Sequence, residues 1–98
     1  MAYPGYPFLD IDPVMKLNVW NKGVIVQGYD PTAFRMDIRG CWMCFADHGL
    51  ESDYGWEIDH ILPRKMGGQS YIANLQPLCW RNNRLKADSY PWVLPARP

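Results

Sequence analysis

The stretch from Gly55 to Lys86, GWEIDHILPRKMGGQSYIANLQPLCWRNNRLK, collects residue types that rarely occur together by chance. An Asp59-His60 pair precedes a Gly67-Gly68 turn, Asn74 follows it, and Asn82 and Asn83 come next, with Arg64, Lys65, Arg81, Arg84 and Lys86 interspersed. A histidine takes or gives a proton near neutral pH, and guanidinium and ammonium groups pair with phosphate. Such a set reads as a metal-dependent nuclease centre. A second Asp-His pair, Asp47-His48, is a rival, but it lies in ADHGLESDYG, a polar stretch punctuated by glycine with nothing to fix its geometry.

Elements that could position these groups follow from local pattern. Trp56 to Leu62 alternates large apolar and polar side chains as a half-buried strand does, and Pro63 ends it. Strict alternation puts Asp59 and His60 on opposite faces, so a twist or bulge is needed to bring both to one site. Leu75 to Leu78, interrupted by Pro77, reads as a weak return strand, and Cys79 to Ala87 as a helix closed before Pro91. On that helix Asn83 and Lys86 share one face, and Trp80 and Arg84 share one too.

Upstream, residues 1–13 are rich in proline and aromatic side chains without a period, and are expected to lie as an arm on the domain. Asp12-Pro13 caps and opens a short helix with Val14, Leu17 and Trp20 inward, and Asp30-Pro31 repeats the signature ahead of a second helix over Thr32 to Ile38, stopped by Gly40. On it Arg35 and Arg39 would share a face, to touch phosphate or to pair with neighbouring carboxylates. The domain proper then covers 14–92, with a short tail over 93–98.

Cys41 and Cys44, in CWMC, have the spacing of half a zinc site, and Cys79 supplies a third thiol. Asn82 stands where a fourth cysteine would fall, so His48 would have to complete a structural Zn²⁺ set of Cys41, Cys44, Cys79 and His48. The alternative is three buried thiols packing as small apolar groups.

A chain of 98 residues forms one modest domain, and the odd cysteine count argues against a complete disulfide framework. No apolar run approaches the roughly 20 residues that span a bilayer, and no signal segment opens the chain, so a soluble, intracellular protein without a membrane partner is expected. Formal net charge is zero, yet six basic residues face one acidic residue from position 61 onward, while nine acidic face four basic before it. That asymmetry predicts one basic face.

The whole pattern, DH-x-L-P, GG, N-L-Q-P-L and C-x-x-N-N-x-x-K, resembles the HNH nucleases in order and spacing. VWNKG, GYDP, GWEIDHI, W-x-N-N-x-x-K and the trailing YPW are similar to a group of small HNH proteins, and the resemblance covers Val19 to Trp92. It implies an α+β fold with a ββα-metal motif and short N-terminal helices beside it. It also implies His60 as general base, Asp59 and Asn83 as ligands of one metal ion, and Asn74 as the group orienting the loop and His60. The final histidine of the name is Asn83 here, giving HNN. A carboxylate and an amide oxygen form a hard pair suited to Mg²⁺ or Mn²⁺. The expected reaction is hydrolysis of DNA, with the ion stabilising the leaving 3′ oxygen and Arg64, Lys65, Arg81, Arg84 and Lys86 available to the backbone. A non-catalytic nucleic-acid-binding module of the same fold, carrying a structural zinc, is the alternative. No dimerisation signal is visible, so a monomer or weak dimer is expected, and a phage packaging, homing, restriction or repair role could each use this domain.

Overall fold

Asp12 accepts a hydrogen bond from the Val14 amide at 3.1 Å and Pro13 takes the first helical position, so helix α1 (Pro13–Trp20) starts where the sequence signature puts it. The structure, a computed structural model, describes residues 3–93. The inward face of α1 differs in part from expectation: Trp20 is fully buried as expected, but beside it Val19 is buried, whereas Val14 and Leu17 are 66% and 46% exposed. This two-turn helix meets the domain with its C-terminal end. There the Trp20 ring packs 5.1 Å from Trp56 and its indole donates to the Pro31 carbonyl at 2.9 Å.

The helix expected over Thr32 to Ile38 is absent, and strand β1 (Phe34–Met36) takes its place, antiparallel to β2 (Trp42–Cys44). Two interactions explain the difference. The Asp30 carboxylate accepts both the Thr32 amide and hydroxyl, at 2.9 and 2.8 Å, closing a turn instead of opening a helix. Arg35 is buried and its guanidinium donates to the carbonyls of Pro31, Gly23 and Asn21, which anchors the strand through contacts that local pattern does not reveal.

A second hairpin carries the site. Strand β3 (Trp56–His60) pairs antiparallel with β4 (Leu75–Cys79), from Trp56↔Cys79 to His60↔Leu75, and helix α2 (Trp80–Lys86) follows β4 directly. Trp56 and Ile58 join the core with Leu75, Cys79, Trp20 and Met43. Side chains two apart on a strand share a face. Glu57 and Asp59 accordingly point to the other side, where their partners Asn83, Arg84 and Lys86 all belong to α2. The N-terminal arm is part of the packing: Tyr6 and Phe8 are buried, and the Tyr6 hydroxyl accepts the Ile58 amide hydrogen at 2.6 Å. Among the described residues no helix is long and apolar enough to cross a membrane.

Candidate active site

The β3–β4 connection is held largely by the Asn74 side chain, with the Lys22 ammonium donating to the Ile72 carbonyl from outside it. Asn74 accepts the Leu62 amide at 2.8 Å, donates back to the Leu62 carbonyl at 3.0 Å and donates to the Gln69 carbonyl at 2.9 Å. Gly67 adopts a left-handed φ of +94°, which strains any other residue, and a Cβ on Gly68 would lie 1.7 Å from the Leu62 oxygen, so the second position requires glycine and the first favours it. The loop brings Ser70 to His60, whose Nε2 lies 2.8 Å from the serine Oγ. The Phe8 ring, 5.0 Å away, packs on the other part of the imidazole.

Asp59, His60 and Asn83 line one cleft of about 400 Å³, together with Arg64, Lys65 and Arg84. No bulge is needed to bring the aspartate and histidine there. Pairing is regular to the end of β3, and the arm residues Tyr3 and Phe8 form part of the cleft wall, so the opening reaches side chains from both faces of the strand. Burial, then the charges of Arg64 and Lys86, depress the His60 pKa, which favours the neutral imidazole. Burial raises the Asp59 carboxyl, against the opposing pull of its Gln76 hydrogen bond and of Lys86.

Asn83 donates through Nδ2 to Glu57 Oε1 at 2.9 Å, which orients its amide and leaves Oδ1 as the atom available to a cation. A carboxylate and an amide oxygen on one cleft wall are a donor set that fits a hard divalent ion.

The expected phosphate-binding cations separate into two groups. Arg64 and Lys65 are exposed at the cleft, and Arg81 is exposed, with its guanidinium over the Trp80 ring and 3.9 Å from Asp53. Arg84 donates to Glu51 and Glu57 at 3.1 Å each, leaving a buried Nε without an acceptor. Lys86 is 1% exposed, and its ammonium reaches Asp59 at 3.2 Å and the His60 carbonyl at 2.9 Å. It faces inward rather than toward solvent.

Residues 40–89, half the chain, match the family model described as HNH endonuclease. The chain belongs to the HNH endonuclease family. Comparison with curated proteins and with solved structures returned no match. HNH proteins are generally nucleases that act on nucleic acid and bind a divalent ion, and the β3–β4–α2 unit is the ββα element of that fold.

The zinc set expected of Cys41, Cys44, Cys79 and His48 does not assemble. Among the described residues Cys41 and Cys79 converge with Asp37, while Cys44 lies in β2 outside that group. His48 Nε2 instead meets the Tyr6 hydroxyl at 2.9 Å, and burial, aided by Lys16, lowers its pKa to about 4. The rival Asp47-His48 pair is thus a packed structural element, with Asp47 accepting from Ser52. Asp37 receives four hydrogen bonds, from the amides of Arg39, Cys41 and Cys79 and from the Asn82 side chain. Those fill the roughly four lone-pair positions of a carboxylate. It ties the β1–β2 turn to the start of α2.

Four contributors were not visible in the sequence pattern. Glu57 and Ser70 orient Asn83 and His60, and Tyr3 and Phe8 wall the cleft. Glu57 had a usable signal, since a carboxylate two residues before Asp59 must share its face.

Proposed function

We propose that this HNH protein is an endonuclease that hydrolyses DNA phosphodiester bonds with one divalent ion, Mg²⁺ or Mn²⁺. His60 is the general base, Asp59 and Asn83 hold the ion, Asn74 keeps the loop that presents His60 in place, and Arg64 and Lys65 meet the nucleic-acid backbone. The observation that carries this reading is that Asp59, His60 and Asn83 line a single cleft with exposed cations at its edge. His60, with its pKa held below the ordinary value, takes the proton of a water entering the cleft. In the tautomer in which Nε2–H donates to Ser70 Oγ, Nδ1 is the nitrogen that accepts that proton. The exposed Arg64 and Lys65 offer donors to phosphate oxygens. A bound divalent ion supplies stabilisation of charge developing on the phosphate and the leaving 3′ oxygen.

Incubation of supercoiled plasmid with the protein in Mg²⁺, Mn²⁺ or EDTA tests the reading. Cleavage is expected with either ion and none with chelator. Asn83→Ala should abolish metal-dependent cleavage, whereas Asn82→Ala, which removes a bond to Asp37, should lower thermal stability and retain more activity per folded molecule. DNA binding without cleavage under every metal condition would replace the enzyme reading with a binding module.

A further inference from the structure

Two acids and two bases form the junction between β3 and α2, each acid against a base, with the more exposed Glu51 also 3.1 Å from Arg84. Glu57 is fully buried against Arg84, with the carboxylate 3.1 Å from the guanidinium. Asp59 is 7% exposed and Lys86 1% exposed, and the ammonium lies 3.2 and 3.4 Å from the two Asp59 oxygens. The Lys86 ammonium is fixed by a third contact, to the His60 carbonyl at 2.9 Å. Glu57 also accepts from the Asn83 amide, and each of the two buried acids is in contact with a base.

A divalent ion entering beside Asp59 therefore adds two positive charges where the buried carboxylate already faces an ammonium and where Arg64 and Lys65 line the same cleft. It would share its carboxylate with an ammonium already in contact with it. Uncompensated charge in such a place is disfavoured, and like charges at close range repel. The compensation available is a phosphodiester in the same cleft, which brings the negative charge that the protein side lacks. We propose that Lys86 holds Asp59 as a resident counter-ion in the metal-free protein, so that a divalent ion binds weakly to the free protein and tightly only together with a nucleic-acid phosphate. This rests on the reading of Asp59 and Asn83 as the metal-holding pair. Linkage makes the effect reciprocal: the ion must strengthen DNA binding by the factor by which DNA strengthens ion binding.

The full-length His60→Ala protein, which keeps all four charges and the His60 carbonyl, allows binding to be read without turnover. Mn²⁺ affinity of the free protein is measured by electron paramagnetic resonance, and affinity for a fluorescein-labelled DNA duplex by anisotropy, with and without Mn²⁺ at constant ionic strength. Mn²⁺ is expected to tighten DNA binding at least tenfold. Lys86→Met in the same background should strengthen Mn²⁺ binding to the free protein at least tenfold and shrink the coupling. DNA affinity that is the same with and without Mn²⁺ overturns the proposal, and this comparison decides it alone if Lys86→Met does not fold. Asp59→Asn separates the two readings. If it abolishes Mn²⁺ binding while the parent His60→Ala protein shows no coupling, the metal site stands and the counter-ion role falls; if Mn²⁺ binds unchanged, the metal-site reading itself is overturned, and the proposal with it.

Discussion

The side chain of Asn74 pairs with both backbone polar groups of Leu62, accepting its amide at 2.8 Å and donating to its carbonyl at 3.0 Å. Twelve positions apart in sequence, the two residues close the loop that follows His60 as one strand would close against another. Ser70, which touches His60, and Gln69, which accepts the second Asn74 donor hydrogen, lie inside that loop.

Asn74→Ala removes three hydrogen bonds at once. Leaving loop backbone groups unpaired is expected to cost about 2 kcal/mol of stability. It should also lower the cleavage rate per folded molecule at least tenfold, because the loop that holds Ser70 against His60 loses its tie. Urea midpoints and initial rates check both effects; a variant with wild-type values for each would show that the latch has no role in the site.

The depressed His60 pKa gives a sign for the pH profile. A general base must be neutral, so the cleavage rate should rise with pH through a midpoint below the ordinary 6.5 and level off above it. Arg64 is one cause of the depression, and Arg64→Ala should move that midpoint upward, toward 6.5. Rates measured from pH 5 to about 8 for both proteins check this. A wild-type midpoint above 6.5, or a downward move in the variant, would contradict it.

His48 governs stability rather than catalysis. Its pKa falls from 6.5 to about 4 on folding, so between those values the unfolded chain binds more protons than the folded one. Stability contributed by the neutral ring is fully present above pH 6.5 and declines as pH falls toward 4. His48→Gln, which cannot titrate, should flatten the dependence of the melting temperature over that range. An unchanged slope would assign acid sensitivity to other groups.

What could be read from sequence divides along physical lines. The Asp12-Pro13 start of α1 and the order strand, glycine loop, strand, helix over Gly55 to Lys86 were legible, because caps, turns and alternation are local signals. The expected helix at Thr32 to Ile38 failed because Arg35 is held by carbonyls of Asn21 and Gly23, ten or more residues away. Alternation correctly separated Asp59 from His60 but could not show that the cleft, walled in part by an aperiodic arm, reaches both faces. The cysteine spacing suggested zinc, and nothing local to Cys41 announced that the Asp37 carboxylate would accept the amides on both sides of the junction.

The most direct measurement is single-turnover cleavage of a DNA duplex by wild type and His60→Ala in saturating Mn²⁺, with circular dichroism showing both proteins folded. Removal of a general base typically costs about 10²–10⁴ in rate. A loss in that range, with DNA affinity retained, is the result expected if His60 activates water in this cleft. Indistinguishable digests from the two proteins would contradict the assignment and with it the nuclease centre proposed around Asp59, His60 and Asn83.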